Sequence, residues 1–117
     1  MSAWWLLVLR AGGGDEPHIW LQRRPPRGIW AGLHCTPVLA SEAEALSALP
    51  PGCGLESVVA LEPVAHSLTH RELRLHPLLV DVPASEVSGD GQWVALSGLS
   101  AVGLPAPVRV LLDRLPD

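Results

Sequence analysis

The chain has 117 residues, 48% of them hydrophobic, and a net charge of −4 with no lysine. That length and apolar content suit one compact domain with a core of its own, and no apolar run reaches the length of a membrane span. The acidic balance argues against a free-standing nucleic-acid binder with a wholly basic surface, and Cys35 and Cys53 form neither a C-x-x-C pair nor a disulfide framework.

The stretch from Met1 to Trp5 lacks the basic region of a signal peptide, so a cytoplasmic protein is the default, and the start reads as a strand cut from something larger. Residues 3–10 read as a buried strand. A glycine turn over Ala11–Asp15 follows, and residues 18–23 read as the returning strand of a hairpin. In the next loop, Arg24–Gly28, two prolines stiffen the backbone and leave its arginines projecting outward. Ile29–Cys35 leads into a third strand ended by Pro37.

Ser41 followed by Glu44 has the form of a capping box, opening a short helix to about Leu49 that Pro50-Pro51-Gly52 stops. Residues 57–64 read as a strand, His66–His70 as a polar loop, and Glu72–Val82 as a strand broken or edged at Pro77. Gln92–Leu96 is a short strand. Leu104–Pro107 opens a final helix to about Leu115, with Val108, Leu111, Leu112 and Leu115 at helical spacing. Neither a repeat nor a linker interrupts this order. The fold class is a single α+β domain over residues 1–117, a mixed sheet flanked by one helix on each side.

The charge is uneven. Arg23, Arg24 and Arg27 fall close together, and Arg71 and Arg74 lie near His66, His70 and His76, so a local positive surface is compatible with an acidic whole. The three histidines have no acidic or thiol partners at metal-ligand spacing, and Cys35 reads as a small buried hydrophobe. The five tryptophans carry all the aromatic mass and read mostly as core.

Material for catalysis is thin. Gly12–Gly14 is a bare turn rather than a phosphate loop, and no G-x-S-x-G elbow occurs. Ser67 beside His66 and His70 lacks the orienting acid of a triad. The order of elements invites comparison with Nudix hydrolases, whose box G-x5-E-x7-R-E-U-x-E-E-x-G-U gathers carboxylates around divalent metal. Counted from Gly32, its metal positions fall on Val38, Leu46-Ser47 and Pro50-Pro51. Counted from Gly28, they fall on His34 and Leu46-Ser47. Neither frame carries the carboxylates. Glu42 and Glu44 read as helix-capping and solvated residues.

Three segments point to a family. Leu21–Pro37, containing Gln22-Arg23-Arg24-Pro25-Pro26-Arg27-Gly28-Ile29-Trp30-Ala31-Gly32-Leu33, resembles the Q-R-P-x-x-G-(I or L)-W-G-G-L-x-x-F-P stretch of the C-terminal domain of MutY-family adenine DNA glycosylases. His66-Ser67-Leu68-Thr69-His70 resembles that family's H-x-F-S-H loop. Trp93-Val94 and Gly103–Val108 resemble its closing W-V and G-L-P-x-P-V segment. The resemblance runs over nearly the whole chain and implies a Nudix-like α/β/α sandwich.

It also implies a function: reading 8-oxoguanine opposite adenine for a base-excision glycosylase. The catalytic domain, with its 4Fe-4S cluster, would lie outside this chain. The fragment itself would hold no catalytic residue, metal ligand or cofactor, and would not be an enzyme alone. Its partners would be duplex DNA bearing the lesion pair and the catalytic domain of the same polypeptide. It would work as a monomer in the bacterial cytoplasm, at the nucleoid.

The family's lesion-reading Phe-Ser-His falls on Leu68, Thr69 and His70. A hydroxyl at Thr69 can accept from the N7–H that oxidation creates, and His70 can donate to the lesion or its phosphate. Leu68 can wedge beside the base stack but cannot π-stack, or it can simply pack in the core. His66 can hydrogen-bond the loop from behind. Arg23, Arg24 and Arg27 are candidates for phosphate contact or a solvated loop tip, and one of Arg71 and Arg74 faces the duplex. Two other readings stand beside this one: a Nudix-type nucleoside diphosphate hydrolase, and a protein-docking module using Trp20 or Trp30.

Overall fold

The structure, a computed structural model, describes residues 2–12 and 16–116. Eight strands and two helices follow in the order β1 (Ser2–Ala11), β2 (His18–Arg23), β3 (His34–Cys35), β4 (Val38–Leu39), α1 (Glu42–Ser47), β5 (Val58–Ala60), β6 (Val64–Leu68), β7 (Arg71–Asp81), β8 (Gln92–Ala95) and α2 (Ala106–Asp113). Part of the expected glycine turn, residues 13–15, lies outside the described residues.

The sheet is built around β1 and β7, which run parallel in register from Ser2↔Leu73 to Arg10↔Asp81. Their neighbours are antiparallel: β2 and β4 beside β1, β5 and β6 beside β7, and β3 and β8 beside β2. The uninterrupted apolar run of β1 follows from this central place. Leu6 and Val8 enter one core with Leu73, Leu75 and the α2 residues Val108, Leu111 and Leu112. Leu7 and Leu9 enter a second core with Leu78, Val80 and Ala45 of α1. A strand covered on both faces loses the polar alternation of a half-exposed one. The mixed α+β sheet with a helix on each side is therefore as expected.

Both helices start for local reasons. The Ser41 hydroxyl accepts from the Glu44 amide at 3.1 Å, as the capping box predicts. The Glu44 carboxylate reaches one residue further back than in the usual box, to the Ala40 amide at 3.0 Å. α2 begins after Pro105 with a proline in its first turn, where the missing N–H costs nothing.

Several expected boundaries need correction. Residues 29–32 form turns, and the third strand they lead into is only His34–Cys35. Gly28, Trp30 and Gly32 all have positive φ there, which no strand accommodates. Residues 57–64 are not one strand: β5 ends at Ala60, and Glu62-Pro63 separates it from β6. The expected polar loop at His66–His70 is mostly strand β6, with Thr69 and His70 alone in the turn. Pro77 does not break β7 or lie at an edge; it is buried mid-strand opposite Leu6. It is tolerated because the partner strand changes there. The β6 ladder begins at Val64↔Leu75, the β5 ladder at Ala60↔Leu78, and Leu61 N–H donates to the Pro77 carbonyl at 3.0 Å.

Candidate nucleic-acid interface

The pairing directions bring four strand ends together. β1 and β7 start where β2 and β6 finish, so the loop after Arg23 and the turn after Leu68 project from one end of the sheet. The register Leu68↔Arg71 leaves Thr69 and His70 as a two-residue hairpin turn, and both are exposed. Neither has the positive φ of the mirror-image turns common in such hairpins. Arg71 is fixed at the base of this turn, its Nη2 donating to Ser2 Oγ at 3.0 Å.

The loop over residues 24–33 is closed by its own backbone. Arg24 N–H donates to the Leu33 carbonyl at 2.7 Å, and Gly32 N–H to Pro25 at 3.0 Å. His34 N–H ties the loop's far end to the Gly103 carbonyl at 2.8 Å. Arg23 and Arg27 are exposed, as the outward-projecting reading expects. Arg24 departs from it. The residue is half-buried, its guanidinium carbon lies 5.2 Å from the centre of the Trp4 ring, and its Nε is buried without a hydrogen-bond partner among the described residues. A planar cation over an indole face is held by the ring quadrupole, which draws Arg24 inward.

The aromatic contacts continue from there. Trp4 meets Trp30 edge-on, with centroids 5.5 Å apart at 83°. Trp30 meets the His66 ring at 6.1 Å and 46°. A chain of side chains thus runs Arg24, Trp4, Trp30, His66, from the arginine loop to the hairpin. His66 makes a ring contact rather than the expected hydrogen bond from behind the loop. Leu68 is half-buried and packs against the core under α2, so it is not a free wedge. Arg74 alternates with the inward-facing Leu73 and Leu75 and points to the opposite face, leaving Arg71 beside the turn.

Sequence reasoning missed the links made by Trp4 and Trp30: it read the tryptophans mostly as core and offered Trp20 or Trp30 as a docking surface, whereas Trp20 is buried. Trp4 and Trp30 are half-buried and link segments distant in the chain. The one local hint was Trp30 lodged between Gly28 and Gly32.

The opposite face offers few groups for metal-dependent hydrolysis. A cleft of about 360 Å³ lies between the sheet and the segment that follows α1, lined by Leu9, Trp20, Gln22 and Pro51, with Glu86 its one acidic side chain. Glu44 is occupied in capping. Among the described residues, no group of three His, Cys, Asp or Glu side chains could hold a metal ion. The donors present therefore do not fit the divalent metal that Nudix chemistry uses. Cys35 is equally unsuited to chemistry, since burial pushes its thiol up to about 11. At the far end of the sheet, Arg10 grips Asp81 through Nε at 2.6 Å and Nη2 at 3.0 Å, which holds the Asp81 carboxyl below the ordinary range. No helix of the described residues is long and apolar enough to cross a membrane.

Residues 5–114 match the family described as NUDIX domain. The chain is 23% identical over 118 residues to the adenine DNA glycosylase of Buchnera aphidicola subsp. Baizongia pistaciae (strain Bp). The match covers 97% of this chain but only 32% of that glycosylase. The chain therefore spans about a third of the length of this curated relative. Among solved structures, it superimposes on the C-terminal domain of mouse MUTYH, crystallised with human PCNA. That match has a TM-score of 0.76 and 17% identity over 95% of this chain and 84% of that one. It also superimposes on the NUDIX domain of Shewanella oneidensis NrtR, crystallised with ADP ribose. There the TM-score is 0.73, with 12% identity over 97% and 84% of the two chains.

Proposed function

The chain belongs to the NUDIX domain family, and from that premise we propose that it is a DNA-repair module that reads 8-oxoguanine opposite adenine for an adenine DNA glycosylase. One observation carries the reading: Thr69 and His70 are exposed on a tight turn at the sheet end that also bears Arg23 and Arg27. Hydrogen-bonding groups able to address a base edge thus share a sheet end with cations able to address phosphates.

The chemistry is specific to the oxidised base. Guanine presents an acceptor at N7, and its oxidation product presents an N–H there and a new carbonyl at C8. The Thr69 hydroxyl accepts from that N–H, and an imidazole N–H of His70 donates to the carbonyl or the adjacent phosphate. Arg71, anchored on Ser2, adds charge at the base of the turn. Arg23 and Arg27 grip the backbone without regard to sequence. Leu68 and His66 support the turn from its inner face.

Excision of adenine would belong to another domain of a longer cytoplasmic polypeptide, where a 4Fe-4S cluster would also reside. Similarity to the Buchnera glycosylase supports this reading, because the match takes in only part of that protein. The fragment alone would neither excise a base nor hydrolyse nucleoside diphosphates.

The test is made in the intact glycosylase. Thr69→Ala with His70→Ala should lower the preference for 8-oxoguanine over guanine opposite adenine by roughly tenfold, equivalent to one lost pair of hydrogen bonds. If the double variant keeps its full preference, the turn does not read the lesion. Release of product from nucleoside diphosphates with magnesium would instead favour the hydrolase reading.

A further inference from the structure

Among the described residues, Trp30 is the one residue other than glycine with positive φ, at 59°. Left-handed backbone is unfavourable for a bulky side chain and persists where the surroundings over-determine it. Two sets of contacts do so here. The backbone is held by Leu33 N–H donating to the Trp30 carbonyl at 3.1 Å, beside the Gly32–Pro25 bond at 3.0 Å. The indole is held between Trp4 on β1 and His66 on β6.

This placement gives Trp30 contact with both halves of the interface. Its own loop carries Arg27 and, through Trp4, is connected to the stacked Arg24. His66 stands on the strand that runs into the Thr69–His70 turn, on the same face as Leu68. We propose that Trp30 is a positioning residue that fixes the arginine loop and the reading hairpin at one separation. Backbone grip and lesion readout are then set together. The consequence for recognition rests on the function proposed above, whereas the mechanical coupling does not.

Two experiments separate these parts. In the 117-residue chain, hydrogen exchange is followed in Trp30→Ala, His66→Ala, the double variant and Trp30→Phe. Exchange of the hairpin amides over 64–72 should accelerate roughly tenfold in either alanine variant, while Leu7 and Leu78 in the central strands stay protected. The double variant should add little to either single one, and Trp30→Phe should restore most protection. Uniform acceleration across hairpin and centre, an unchanged hairpin, or additive effects overturn the coupling. If Trp30→Ala does not fold, His66→Ala alone decides by the same contrast.

In the intact glycosylase, Trp30→Ala should lower lesion preference several-fold, with Trp30→Phe rescuing it. If the Thr69/His70 double variant loses preference and Trp30→Ala does not, the positioning role is overturned. If neither loses preference but the hairpin loosens, the coupling stands and the lesion-reading function falls.

Discussion

The guanidinium of Arg24 lies over the indole of Trp4, 5.2 Å from the ring centre, while its neighbour Arg23 is exposed. Adjacent arginines at the end of β2 therefore have different work. Arg24→Ala should cost roughly 1 kcal/mol of folding stability, read as a lower midpoint in urea. Arg24→Lys should recover little of it, because an ammonium lacks the flat stacking surface.

Arg23→Ala and Arg27→Ala should leave stability nearly unchanged and weaken every duplex alike. Each lost phosphate contact should flatten the logarithmic salt dependence of binding by about 0.9. A loss confined to the lesion duplex would contradict a role in backbone contact.

Leu68 packs on the core from the last position of β6. Leu68→Ala should therefore destabilise the chain by roughly 1–2 kcal/mol, less than a fully buried leucine. Thermal unfolding monitored by circular dichroism measures it. A variant as stable as the parent would free Leu68 for the wedge role.

The Arg10–Asp81 pair gives a pH-dependent contribution. The folded chain favours the Asp81 carboxylate, so its stabilisation is complete above the ordinary value of 3.8 and is lost as pH falls through the lowered folded value. With Asp81 largely exposed, Asp81→Asn should cost less than about 1 kcal/mol at pH 7. Below the folded value the variant and the parent should converge in urea denaturation, and a constant difference down to pH 2 would contradict this.

Thiol labelling should separate the two cysteines. Cys35 is buried, with its thiol pushed up to about 11, so native protein at pH 8 should resist modification there. Half-buried Cys53 should react first. Mass spectrometry of the labelled protein should show one fast adduct, and the second only on unfolding.

Much of this architecture was legible from the chain. The apolar run of β1, the returning β2, the capping box at Ser41 and the helical spacing of Val108, Leu111 and Leu112 are local signals, and each lies where expected. β6 was missed because its inward positions, Val64, His66 and Leu68, include an imidazole that breaks the apolar alternation. The turns over residues 29–32 were not anticipated, because positive φ at a tryptophan is not signalled by its own residue type. The exposed turn at Thr69 and His70 was anticipated as part of a polar loop. Its inner support was not, since the contacts among residues 4, 24, 30 and 66 arise only once β1, β2 and β6 share a sheet end.

Pro77 splits one flank of the sheet into two independent stitches. On one side of it the seam runs through Leu61 and β5; on the other it starts afresh at Val64. Opening the fingertip that ends in Thr69 and His70 breaks only the second stitch. That end of the sheet can thus yield while its centre stays shut, an asymmetry of compliance set by one missing amide hydrogen.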